Sequence, residues 1–158
     1  MSNYLQGTQV RKLLLGLKVE EPAAVLPATG IAHLFTVSGG RVLVTGLVGQ
    51  CTTVCDATAT TITVGVTPTS GTASAASLAS ATAITSKEVG TLVGLPLTAG
   101  GALVVGANAG GTVQVSGRGA MVVQPGTIDI TTSATNAGAF KWTLTYIPLD
   151  DGASVKAV

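Results

Sequence analysis

From Phe140 to Ile147 the chain alternates Phe140, Trp142, Leu144 and Tyr146 with Lys141, Thr143 and Thr145. A period of two puts the four large side chains on one face of a strand. They include the chain's one Trp, one of its two Phe and one of its two Tyr, so this run is read as the core anchor of a strand inside a packed sheet. Thr127 to Thr131 is a second strand-like run before it, and Pro148-Leu149-Asp150-Asp151-Gly152 closes it as a turn. Upstream, Ile31, His33, Phe35 and Val37 share a face. Ser38-Gly39-Gly40 then leads into Arg41 to Val48, a pattern that predicts a hairpin with its second strand reaching about Val54. Thr60 to Val66 follows, with Ile62, Val64 and Val66 inward. Val89 to Leu95, Ala102 to Val105, Thr112 to Val115 and Met121 to Val123 are shorter runs. Thr72 to Thr85, rich in Ser and Ala, reads as a loop, or as one helical turn around Ala75 to Ala79.

About eight or nine short antiparallel strands separated by Gly-rich turns predict an all-β fold, a jelly-roll-like β-sandwich over residues 29–158. No helix is long enough for a parallel crossover. Residues 1–28 are set apart as an extended N-terminal arm. Within the arm, residues 8 to 19 fit a short helix or an extended segment. Glu21 to Gly30 reads as an extended connector, because Pro22 and Pro27 exclude a helix.

Composition changes this picture in one respect. The 158 residues suffice for one domain with its own core. Only 9% are charged, 46% are apolar and the net charge is +1, which leaves much weakly polar surface to be covered by other subunits or a larger assembly. The near-neutral balance also argues against a nucleic-acid partner, which needs clustered Lys and Arg to displace counterions from phosphates. The charge-free stretches are broken by Gly, Pro, Ser and Thr too often for a membrane span. The N-terminus lacks the signature of a signal peptide, so synthesis in a cytoplasm is expected.

The chemistry-bearing residues point to no reaction. Cys51 and Cys55 would lie about 13 Å apart along a strand, so buried free thiols are expected rather than a disulfide or a metal site. A glycosidase-like pair such as Asp129 with Asp150 needs two carboxylates flanking one bond. Asp129, however, alternates with Ile128 and Ile130 and should face solvent or an interface, while Asp150 sits in a turn. His33, flanked by Ile31 and Phe35, reads as a hydrogen-bonded core or interface histidine. Gly106 to Gly111 lacks the Lys and the helix of a phosphate loop. Arg41 and Arg118 stand beside glycine turns, where either could meet a partner's carboxylate. No catalytic residue, metal ligand or cofactor is assigned.

Three segments carry a resemblance: LFTVSGGRVLVTGLVGQCTTV, VGTLVGLPLTAGGALV and, most specific, PGTIDITTSATNAGAFKWTLTYIPLDDGA. Together they resemble small β-rich structural proteins of tailed-bacteriophage virions, in particular capsid decoration (cement) proteins. The resemblance covers roughly residues 30 to 155. It implies a non-enzymatic homo-oligomer, a trimer rather than a dimer, on the capsid exterior, made in the host bacterial cytoplasm. Its partner would be the major capsid protein, whose subunits it would bridge, with Arg11, Lys12 and Lys18 of the arm meeting acidic capsid surface. The alternatives are a tail or fibre component contacting the host surface and, further off, a small polysaccharide-cleaving enzyme.

Overall fold

The computed structural model describes residues 6–113 and 120–158. Among them are one helix and eleven strands: α1 (Gly7–Leu15), β1 (Leu17–Val25), β2 (Gly30–Ser38), β3 (Val42–Thr53), β4 (Thr61–Pro68), β5 (Ser74–Ala83), β6 (Leu92–Gly94), β7 (Val104–Val105), β8 (Met121–Val123), β9 (Gly126–Thr132), β10 (Ala139–Pro148) and β11 (Ser154–Ala157). The strands form two antiparallel sheets. One runs β1-β10-β3-β6-β7, with β8 also pairing with β3; the other runs β11-β2-β9-β4-β5. The fold is all-β, as its alternating sequence predicts.

Both sheets contribute to one core. Phe140, Trp142, Leu144 and Tyr146 of β10 are all buried, beside Phe35 and Val37 of β2, Ile62 and Val64 of β4, and Ile128 and Ile130 of β9. Burial of this apolar surface is the main favourable term holding the sheets together. The Phe140 and Trp142 rings stack with centroids 5.8 Å apart. Across the ladder Gly49 of β3 stands opposite Trp142, and its missing side chain leaves room for the indole.

Five expectations are corrected. The run through Ser38-Gly39-Gly40 is no hairpin: β2 pairs with β9 and β11, and β3 with β10, β6 and β8, so this turn carries the chain from one sheet to the other. The turn Asp150–Gly152 does the same between β10 and β11, and Leu149 N–H donates to Arg41 O (3.0 Å) where the two corners meet. Alternation on both sides of a glycine turn is equally the signature of two strands facing one core from opposite layers.

The Ser/Ala stretch is neither loop nor helical turn but β5, an edge strand paired with β4. Its backbone at Ser74 and Ala75 lies against Gly65, where any side chain would collide with it. The strand count exceeds eight or nine because β1, β5 and β11 are strands as well. Residues 17–25, the second half of the expected arm, form the outermost strand of their sheet beside β10. Pro22 is tolerated there because a missing N–H on an edge strand breaks no ladder bond, and the pairing shifts register between Glu21 and Ala24.

Finally, Ile31 and His33 do not share the face of Phe35. His33 pairs with Asp129 and Phe35 with Ile128, so Leu34 is an extra residue in the ladder and the bulge turns Ile31 and His33 to the outer face. The strand expected at Thr112 to Val115 and the turn Ser116 to Gly119 with Arg118 fall wholly or partly outside the described residues.

Candidate interaction surface

The helix α1 is seated on the sheet by its C-terminal end. Gly16 N–H donates to Lys12 O (3.1 Å) and Thr45 Oγ1 donates to Leu15 O (2.6 Å). Gly16 adopts φ +85° against the Tyr146 carbonyl, a conformation and an approach that exclude a side chain. Beyond this anchor, no residue of α1 is buried.

The helix is turned inside out relative to the body that carries it. At about 100° per residue, Val10, Leu13 and Leu14 fall in one arc, and Thr8, Arg11, Lys12 and Leu15 in the opposite one. An amphipathic helix of a self-contained domain buries its apolar arc. Here Leu13 and Leu14 are 70% and 73% exposed, while Thr8, Arg11, Lys12 and Leu15 line a groove of about 490 Å³ between α1 and the sheet. Lys18, Thr145 and Tyr146 complete that groove. The three basic residues expected to bind a partner, Arg11, Lys12 and Lys18, are thus brought to one place.

Lys18 Nζ lies 3.3 Å and Lys141 Nζ 3.5 Å from Glu20 Oε1, and the Lys18 ammonium, hydrogen-bonded to it, holds the Glu20 carboxyl below its usual range. Arg11 and Lys12 form no ion pair among the described residues. The acids of the chain are mostly committed internally. Glu21 accepts from Val158 N–H (3.1 Å), Glu88 from Ala109 N–H (2.7 Å), and Asp56 from Ala137 N–H (3.0 Å), Thr58 N–H (2.8 Å) and Asn136 Nδ2 (3.0 Å). Those backbone donors lower the Asp56 pKa.

Arg41 is not offered to a partner. Its Nη2 and Nε donate to Asp150 Oδ1 (2.7 Å) and Oδ2 (3.0 Å), and its backbone N–H to Oδ2 (2.7 Å). This fork holds the Asp150 carboxyl down at about 2. Asp151 is exposed in the same turn and has no hydrogen-bonding or ionic partner among the described residues.

Asp129 corrects its expectation: it is only 4% exposed. Its outer-face neighbour on β4 is Gly65, and the polar side chains of β2 and β4 close over it. His33 Nδ1 donates to Oδ1 (2.7 Å) and Thr67 Oγ1 to Oδ2 (2.5 Å). The His33 side chain is itself half exposed, the partner of a buried carboxylate rather than a core residue. In a nucleophile–base–acid array the histidine stands between hydroxyl and carboxylate. Here the carboxyl group stands between hydroxyl and histidine, which satisfies both of its buried oxygens and activates no nucleophile. Asp129 and Asp150 are held by separate partners, with no second carboxylate bonded to either among the described residues.

Cys51 and Cys55 are buried free thiols. Burial, reinforced by the neighbouring Cys51 sulfur, pushes the Cys55 thiol up to about 12.

The inverted helix was missed by sequence reasoning, although the spacing Val10, Leu13, Leu14 against Arg11, Lys12 carries it. What the spacing lacks is direction, since either arc could have faced the sheet. Compared with known protein families, characterised proteins and solved structures, the chain matches none.

Proposed function

We propose that this chain is a non-enzymatic structural protein of a tailed-phage virion. It binds the outside of the capsid as a homo-oligomer, a trimer rather than a dimer, and bridges major capsid protein subunits. The observation that carries the reading is the outward apolar arc of α1. A nine-residue helix with no buried side chain is marginal in water and gains stability only from packing. Covering Leu13 and Leu14 from outside supplies it, at about 1.5–3 kcal/mol for each fully buried Leu.

The strand orders support a jelly-roll-like sandwich as the scaffold. β1-β10-β3-β6 faces β2-β9-β4-β5, which follows the double Greek-key order of that architecture, with β7, β8 and β11 added. Weak contacts repeated over a lattice become firm through multivalency, so a charge-poor surface and one apolar knob per copy serve this role without a reactive site.

Decoration is favoured over a host-recognising tail or fibre component by the placement of the aromatic rings. Phe35, Phe140, Trp142 and Tyr146 are all buried, leaving the described loops without the rings that recognition surfaces use.

The test is co-sedimentation with undecorated heads, together with the heat resistance of the resulting particles and the mass of the free oligomer by light scattering. Saturable binding that protects heads supports the reading. Particles that neither bind nor gain stability refute it.

A further inference from the structure

We propose that the groove beneath α1 takes an acidic, extended segment of the partner coat protein; this rests on the decoration reading and names the chemistry of one of its contacts. Arg11, Lys12 and Lys18 line one groove, Lys18 being already paired with Glu20, and its walls also include Leu15 and Leu17. A chain that places carboxylates and apolar side chains alternately satisfies both. The volume, about 490 Å³, is of the size that encloses a small ligand or a few residues.

Charge complementarity favours a coat-protein segment over a second copy of this chain as the source. Six of its seven acids already have partners within the chain: Glu20, Glu21, Asp56, Glu88, Asp129 and Asp150. Asp151 alone is left, as a single carboxylate in a tight turn, against the Arg11 and Lys12 that lack an acid among the described residues.

Direction favours an occupant that enters the groove over a flat anionic surface such as a bilayer or a nucleic-acid backbone. Arg11 and Lys12 line the groove, and the most exposed face of α1 carries the apolar Leu13 and Leu14. The seat that Thr45 and Gly16 provide fixes α1 to the sheet at one end of the groove.

The probe is a fluorescein-labelled octapeptide alternating Glu and Leu, titrated against the full chain by anisotropy. Its Gln/Leu counterpart, a short single-stranded DNA and anionic vesicles serve as competitors. Binding should weaken as salt rises and weaken about tenfold or more in Arg11→Glu/Lys12→Glu, while Lys156→Glu on another strand leaves it unchanged. Both altered side chains are exposed, so an unchanged melting curve confirms that the variant folds. Equal binding of the Gln/Leu peptide, equal binding by the double variant, or equally effective competition by DNA or vesicles would overturn the assignment. Undecorated heads separate the two proposals. If the wild type and the double variant decorate heads equally, the groove is not a contact and decoration stands. If the wild type binds the acidic peptide but not heads, decoration fails, the coat protein is overturned as the source, and the groove's preference for an acidic segment alone stands.

Discussion

Gly49 tests whether β3, β10 and β6 are registered as described. A methyl group there would come within 2.7 Å of both Trp142 Cζ3 and Val93 Cγ2, where ordinary contact begins near 3.4 Å. Each wall must therefore retreat by about 0.7 Å. Neither has free space behind it: Trp142 is 2% exposed and backed by the Phe140 ring, and Val93 is fully buried. Overpacking of this kind costs about 1–3 kcal/mol, offset by about 0.4–1 kcal/mol because alanine has fewer unfolded conformations to lose. Gly49→Ala should destabilise by about 1–2 kcal/mol. Trp142→Leu removes Cζ3 and Cε3 and leaves a cavity, at a cost approaching the 3–5 kcal/mol typical of Trp→Ala. In the double variant the Trp142 half of the collision is gone while the Val93 half remains, so the combined loss should fall about 1 kcal/mol short of the sum. Urea unfolding followed by far-UV circular dichroism measures all four corners, since Trp142 is the chain's one Trp and its fluorescence is lost in two of them. Additivity within about 0.5 kcal/mol would refute the Gly49–Trp142 contact and the register that creates it.

Leu13→Glu/Leu14→Glu should leave the melting temperature of the free chain nearly unchanged, because neither side chain is buried, while abolishing association with heads or sister subunits; a collapsed melting curve with association intact would reverse the reading of α1. The Asp150 carboxyl, held at about 2 by Arg41, stabilises the fold fully above its unfolded value of 3.8, and that contribution disappears as pH falls through about 2. Melts from pH 6 to pH 2 should therefore show a shallower acid decline in Asp150→Asn than in wild type, and superimposable profiles would contradict the pairing. Cys55, with its thiol raised to about 12 by burial, should resist a thiol-disulfide reagent at pH 8 until denaturant is added; prompt labelling of the native chain would show the site to be open.

The parts of the fold that were legible in sequence are those where one face is apolar and the other polar. Phe140 to Tyr146 on β10 and Ile62 to Val66 on β4 identify their own buried faces. β5 was illegible because Ser, Ala and Thr distinguish neither face; pairing with β4 and the bare backbone at Gly65 make it a strand, a tertiary effect that local propensity does not contain. The bulge at Leu34 shifts the alternation of β2 by one residue, which moves His33 outward and lets it cover Asp129. Whether a glycine turn joins two strands of one sheet or two opposed sheets is likewise undecided by periodicity, so Ser38-Gly39-Gly40 misleads. For the interaction surface, the residue types and their clustering near the N-terminus were legible. The direction in which α1 presents them was not, because it depends on the seat that Thr45 and Gly16 provide.

Electron microscopy of undecorated tailed-phage heads mixed with the purified chain confronts the structural role most directly. Density at regularly repeated positions of the capsid exterior, lost with Leu13→Glu/Leu14→Glu, is the predicted result. Bare shells, or density confined to the tail, would contradict it.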